Sequence, residues 1–263
     1  MTKPAILLSI LLLLQSCASS MYIAPTRSIP LLEKKGEIHG EAGTSTNSLY
    51  ANTSYAITDD IAVSLNGSLS YGNFSDKYDL VTNNSHDLLS VTYFSGKFEH
   101  RYGEISVGKI NMPIIPSIKS ELFGGVGIGR ATDGSLLNDN YKSDYYSLFG
   151  QINFGFKRQI FELGWSVRLA YSGFDYTANM YSTKDGHVPY KNNFNVLHAE
   201  PMMFAAIGSK NLKLVYRYGI NIAYTINPKK ELAGYYGFDR YDGVFEHTIF
   251  HLSLGISYRF KGK

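Results

Sequence analysis

The stretch LKLVYRYGINIAY, Leu212 to Tyr224, changes side-chain character at every step. Leu212, Leu214, Tyr216, Tyr218, Ile220, Ile222 and Tyr224 share one parity; Lys213, Val215, Arg217, Gly219, Asn221 and Ala223 share the other. A period of two belongs to a β-strand with one apolar and one polar or small face. The pattern recurs. Phe161, Leu163, Trp165, Val167, Leu169 and Tyr171 oppose Glu162, Gly164, Ser166, Arg168 and Ala170, and Phe250, Leu252, Leu254, Ile256, Tyr258 and Phe260 oppose His251, Ser253, Gly255, Ser257 and Arg259. No long stretch has helical periodicity, and the chain is rich in Tyr (21), Gly (25) and Phe (15). The fold class is therefore all-β.

Ten strands are expected: Gly36–Thr44, Ser48–Ile57, Ile61–Tyr71, Arg101–Ile110, Ile118–Arg130, Tyr145–Lys157, Ile160–Phe174, Val196–Ile207, Asn211–Tyr224 and Thr248–Phe260. Their connections alternate in length. Those after Ile57, Ile110, Lys157 and Ile207 are short, whereas Gly72–His100, Ala131–Asp144, Asp175–Asn195 and Thr225–His247 are long and polar. Short turns at one end and long loops at the other, with an even strand count, are the pattern of a closed antiparallel up-and-down transmembrane β-barrel. Three features favour lipid on the apolar face. The polar parity is crowded with Gly, Ser and Ala, which suit a narrow lumen better than a solvent-facing wall. Aromatic residues such as Tyr55, Phe156, Tyr171, Tyr224 and Tyr258 sit at strand ends, where interfacial girdles belong. The last strand, LSLGISYRF, resembles the terminal strand of bacterial outer-membrane barrels, although KGK follows its phenylalanine.

The first residues have a different character. MTKPAILLSILLLLQSCASS carries Lys3, an apolar run from Ala5 to Leu14, then small residues around Cys17. That run is too short for a transmembrane helix of about 20 residues and suits a secretory signal peptide. LQSC, Leu14 to Cys17, resembles a bacterial lipobox, which implies removal of residues 1–16 and lipidation of Cys17. Cys17 is the only cysteine, so a disulfide or a thiolate metal cluster within the mature chain is excluded. Residues 17–35 then form a lipidated tether, extended by Pro25 and Pro30 and released at Gly36 into a barrel over residues 36–263.

YIAPTRSIPLLEKKGEI, Tyr22 to Ile38, together with YAITDDIAVSLNGS, Tyr55 to Ser68, resembles a family of uncharacterised bacterial outer-membrane β-barrel lipoproteins. The shared features are Tyr22 with Pro25, Pro30–Leu32, Lys35-Gly36-Glu37 and the AITDDI hairpin. The resemblance implies the fold and an outer-membrane location, and it supplies no catalytic residues.

The inward parity carries both charge signs: Glu37, His39, Glu41, Glu104, Glu121, Glu162, Arg168, His198, Glu200, Lys213, Arg217, His251 and Arg259. Of these, Glu162, Arg168, Lys213, Arg217, His251 and Arg259 are the lumen candidates singled out. A ten-stranded barrel lies near the size that side chains fill, so mutual neutralisation in a plugged interior is expected. A narrow pore lined by the same charges is the alternative. The glycine run Gly124–Gly129 lacks dinucleotide-fingerprint spacing, and its alternate glycines make room inside the wall instead. His247 and His251 are too far apart on a strand to share a metal. No metal or other cofactor is expected. A net charge of +3 without a basic block excludes nucleic acid as the natural partner.

The sequence thus predicts a lipid-anchored outer-membrane barrel. Its partners are membrane lipid, at Cys17 and along the barrel exterior, and an envelope protein or extracellular ligand reached through the long loops. Besides the pore, two alternatives stand. A hydrolase would draw on the rim residues Asp175, Asp185, His187, Asp239, Asp242 and His247. A tethered soluble barrel would invert the faces, so that Leu214, Tyr216 and Ile220 line a pocket. No catalytic residue is assigned.

Overall fold

The computed structural model describes residues 22–45, 48–79, 91–115, 117–135, 140–182, 186–226 and 250–260. These residues form eleven strand segments and no helix: β1 (Ile38–Ser45), β2 (Ser48–Ala56), β3 (Ile61–Asp79), β4 (Val91–Lys109), β5 (Lys119–Ser135), β6 (Asn140–Lys157), β7 (Phe161–Ser182), β8 (Gly186–Gly208), β9 (Leu212–Ile220), β10 (Ile222–Ile226) and β11 (Phe250–Phe260). β9 and β10 are one strand interrupted at Asn221, so the wall has ten strands. Successive strands pair antiparallel from β1 to β8, β8 pairs with both β9 and β10, and β11 joins β9 to β1. That last pairing closes the barrel and leaves no long edge to recruit another chain.

The alternation sorts the side chains as the pleat requires. Along β9, Lys213, Val215 and Arg217 are buried, whereas Leu212, Leu214 and Tyr216 are exposed. Trp165, Leu214 and Leu254 stand outside the wall, 45%, 50% and 48% exposed. The inverted arrangement, with Leu214, Tyr216 and Ile220 lining a pocket, is not the one the chain adopts. The bore is polar and the exterior apolar.

One end of the barrel has tight connections, after Ala56, Lys109, Lys157 and Gly208. At the other end three of the expected long loops are mostly strand, and the fourth, Thr225–His247, lies outside the described residues after Ile226. β3 pairs with β4 from Ile61–Lys109 up to Asp79–Val91, and β7 pairs with β8 from Phe161–Ile207 up to Ser182–Gly186. Asn, Asp, Ser and Lys read as loop composition in Gly72–His100 and Asp175–Asn195. Among the described residues they are paired ribbon that continues past the apolar part of the wall. The first hairpin stays short on this side, since Ser45 pairs with Ser48.

The apolar band has a sharp upper limit on one side of the barrel. Arg101, Arg130, Asp144, Asp175 and Asn193 are successive cross-strand partners on the outer face of β4 to β8. Arg130 and Lys142 pair with Asp144, and Lys191 pairs with Asp175. Two residues nearer the turn end, the same strands present Gly103, Ile128, Tyr146, Gly173 and Asn195.

Candidate functional site: the filled bore

Residues 22–32 are not a tether outside the barrel: they run through its bore, while Lys34 and Lys35 stand exposed at the turn end. Tyr22, Ile23, Ala24, Arg27, Ile29, Leu31 and Leu32 are each at most 3% exposed. Pro25 and Pro30 hold this segment extended, and an extended chain has no internal hydrogen bonds. Its buried carbonyls and amides must therefore be satisfied by the wall. Asn52 Nδ2 donates to the Thr26 carbonyl at 3.0 Å, and Gln151 Nε2 donates to that of Ser28 at 3.1 Å. Arg259 donates to the Pro30 and Leu31 carbonyls at 2.9 and 3.1 Å, and Lys157 Nζ donates to that of Leu31 at 3.0 Å. The Leu32 amide in turn donates to Glu121 Oε1 at 2.8 Å.

At the turn end, Leu32 packs with Ala56, Ala62, Ile110 and Phe123. Leu31 adopts a left-handed backbone, φ 45°, which costs about 1–2 kcal/mol for a residue with a Cβ. The Arg259 and Lys157 bonds to its carbonyl offset that strain. Ile29 and Leu31 cluster with Met202 and Phe204. Glu37 accepts from Arg259 Nη1 at 2.8 Å and from Lys157 Nζ at 3.0 Å, while Glu162 lies 3.2 Å from Arg259 Nη2.

Midway, Ser28, Ser54 and Ser64 form a chain of hydroxyls 3.0 and 2.9 Å apart. Thr26 Oγ1 and His251 Nε2 are hydrogen-bonded at 2.8 Å. Arg217 forms a bidentate ion pair with Glu41, which also accepts from Tyr50. Higher still, Arg27, Glu200, Arg168 and Glu104 alternate in sign. Arg168 Nη2 lies 2.7 Å from Glu104, Glu200 Oε2 lies 3.7 Å from Arg168 Nε and 3.8 Å from Arg27 Nη1, and Arg27 also donates to the Glu200 carbonyl at 2.8 Å. Tyr22 donates to Glu200 Oε1 at 2.8 Å and stacks on His198 with ring centroids 4.1 Å apart. Tyr145 and Phe174 meet it edge-on.

Glu162, Arg168, Lys213, Arg217, His251 and Arg259 are all buried on the inner face, but they do not converge on one centre. Arg259, paired with Glu162, and His251 bond the threaded segment directly, whereas Arg168 reaches it through Glu200. Arg217 braces Glu41 and Tyr50. Lys213 instead donates to the Arg158 and Gln159 carbonyls, at 3.2 and 2.7 Å, and clips the β6–β7 corner. The inward glycines of β5 have a steric role. A Cβ on Gly127 would strike Tyr102, and one on Gly129 would strike Tyr145. These are the rings that flank Tyr22 and Arg168.

Of the rim residues, Asp175 faces outward in an ion pair with Lys191. Asp185, Asp239, Asp242 and His247 lie outside the described residues, as does Cys17. No group of His, Cys, Asp and Glu suited to a metal ion occurs among the described residues. A groove of about 870 Å³ follows the outer polar row, with Gly103, Ile128, Tyr146 and Gly173 on its apolar side and Arg101, Arg130, Asp175 and Asn193 above.

The alternation of the strands placed residues 17–35 in a tether and so missed Tyr22, Arg27 and Thr26 as bore residues. The usable signal was their apolar content. Tyr22, Ile23, Ile29, Leu31 and Leu32 would be costly to expose in a solvated linker.

Glu37 gives this filling a pH dependence. Burial pushes its carboxyl up, but the Arg259 hydrogen bond and the Lys157 charge outweigh that and hold it at about 2, against an ordinary 4.5. A depressed carboxyl stabilises the fold fully above its unfolded-state value and loses that contribution as pH falls through its folded value. Glu37→Gln should therefore destabilise the barrel at pH 7 by about 1–2 kcal/mol, the full shift being reduced by solvent screening at the turn end. The gap to the unaltered protein should shrink below pH 4.5 and vanish only below pH 2, as followed by denaturant unfolding in micelles. A gap that does not change with pH would show that Glu37 is not ionised against Arg259.

Fold and filling define the class: an all-β, closed, ten-stranded antiparallel barrel whose bore holds its own amino-terminal segment. Neither a protein-family model nor a curated protein matches the chain.

Proposed function

We propose that the protein is an outer-membrane β-barrel lipoprotein, anchored through Cys17, that acts by binding rather than by conduction or catalysis. The observation that carries this reading is the exterior. Large apolar side chains cover most of the outside of the wall, β1 adding mainly small residues after Ile38, and among them Leu65, Ile105, Leu148, Leu169, Met203 and Ile256 are more than half exposed. A soluble monomer rarely exposes apolar patches beyond a few hundred Å². In β7 the band runs from Phe161 to Tyr171, which suits a tilted strand crossing a bilayer. Aromatic residues at both ends, Phe161, Tyr55, Tyr258 and Phe260 below and Tyr146 and Tyr224 above, suit the two interfaces.

A bore occupied by chain and paired charges suits a plugged barrel and disfavours the pore. The paired ribbons of β3 to β8 that rise past the polar row then form the cell-surface contact region. An extracellular ligand or envelope protein is the partner in this reading, with membrane lipid along the wall.

Heat-modifiable gel migration is the test. Protein extracted from membranes with detergent should migrate faster unheated than boiled. A form lacking residues 1–17 that stays monomeric without detergent would overturn the membrane assignment.

A further inference from the structure

The direction of threading fixes where the chain's first residues leave the barrel. Near Lys35 the segment is at the turn end, because the Lys35 amide donates to Asp59 in the β2–β3 turn at 2.8 Å. Asn111, in the β4–β5 connection, donates to the Glu33 carbonyl at 2.9 Å. Ser28 reaches Ser54 and Gln151 inside the wall. Tyr22 lies against Tyr145 and Phe174, whose chain neighbours Asp144 and Asp175 belong to the outer polar row. Between Lys35 and Tyr22 the chain therefore crosses the full depth of the apolar band.

Cys17 stands five residues before Tyr22. Five extended residues reach at most about 18 Å. Returning to the turn end takes roughly 30 Å of tilted strand height, through a bore already filled.

We infer that the amino-terminal end leaves the barrel through the mouth framed by the long strands, the same face as the 227–249 connection. On the membrane reading proposed above, upon which this part rests, an acylated Cys17 places its lipid chains in the outer leaflet. An anchor at the turn end would reach the opposite one. Anchor and contact ribbons then share the cell surface, and the barrel closes around a chain that leads outward.

The experiment uses full-length protein in intact cells, with one short epitope inserted after Ser20 and, in a separate variant, the same epitope inside 227–249. Heat-modifiable migration checks that both fold. Equal antibody labelling of the two without permeabilisation is the expected result. Labelling of the 227–249 epitope alone, with the Ser20 epitope appearing only after the outer membrane is opened, overturns the inference and leaves the membrane barrel standing; the reverse pattern also overturns it. If both appear only after opening, the shared face stands and the proposed orientation fails. Should the Ser20 epitope be surface-exposed without metabolic incorporation of labelled fatty acid at Cys17, threading stands and lipidation fails. A second measurement needs no epitope. S28C combined with S54C should form a disulfide when folded protein is oxidised with diamide, seen as lost maleimide reactivity, and two thiols still free after that oxidation would also overturn the threading.

Discussion

Deletion of residues 23–33 should turn a silent barrel into one that conducts ions in stepwise openings in a planar bilayer. The reason lies in the wall. Ten strands enclose little more than side chains can fill, yet many inward positions carry almost no side chain. Ser54, Ser64, Ser68, Gly127, Gly129, Ser147, Ser166, Ala170 and Ser253 all face the bore. Their small size makes a continuous slot, and the slot is the width of an extended chain. With the chain gone, nothing of that size in the wall can swing in to replace it, while Arg217–Glu41 and Arg168–Glu104 remain to hold the lining polar and wet. The deletion also removes the burial of Ile23, Ile29, Leu31 and Leu32. At about 1.5–3 kcal/mol for each such side chain, less the entropy of ordering the segment, the variant should unfold at clearly lower denaturant. The test is conductance from protein that still shows heat-modifiable migration. A folded but silent deletion variant would mean that the wall collapses onto the vacated slot, and that the segment is filler rather than a plug.

The same slot shows which parts of the architecture were legible in the residues. Period-two alternation placed Leu214, Trp165 and Leu254 on one face and Arg217, Ser166 and Gly255 on the other, because the pleat leaves a strand no alternative once one stripe is apolar. The number of strands followed from the turns. Strand length did not. Above the polar row the ribbons of β3–β4 and β7–β8 carry Asn, Asp, Ser and Lys, so nothing in their composition separates paired strand from loop; only the partner register shows it. The candidate charges were legible as inward-facing and illegible as a set. Arg259, His251 and Arg168 stand at different heights, and what links them is a segment that sequence order assigns to the exterior. Small inward residues were read as a sign of a narrow lumen. Their further meaning, that a second piece of chain must occupy the space they leave, required knowing that Tyr22, Ile29 and Leu32 had nowhere else to bury.

Glu200→Ala should be the most damaging single substitution in the bore, costing about 3–5 kcal/mol. Glu200 faces two guanidinium groups, Arg27 and Arg168, and accepts the Tyr22 hydroxyl; all four residues are at most 1% exposed. Removing its carboxylate leaves Arg168 with Glu104 but takes from Arg27 its side-chain anion among the described residues, and it removes the acceptor of the Tyr22 hydroxyl bond. Uncompensated buried charge is the expensive outcome, because desolvation has already been incurred when the attraction is lost. Replacing both members of the pair, Arg27→Met with Glu200→Met, should therefore cost less than Glu200→Ala alone. Arg101→Ala in the exposed outer row should cost no more than about 1 kcal/mol. Trp165 reports all three without an added label. It is the only tryptophan, it stacks on Phe154 with ring centroids 4.5 Å apart, and it faces outward, so its fluorescence changes when the wall leaves the micelle. Denaturant curves read at Trp165 should shift most for Glu200→Ala, less for the double replacement and little for Arg101→Ala. If the double replacement proved as costly as the single one, the Arg27–Glu200 contact itself, rather than the stranded charge, would be what holds the segment in place.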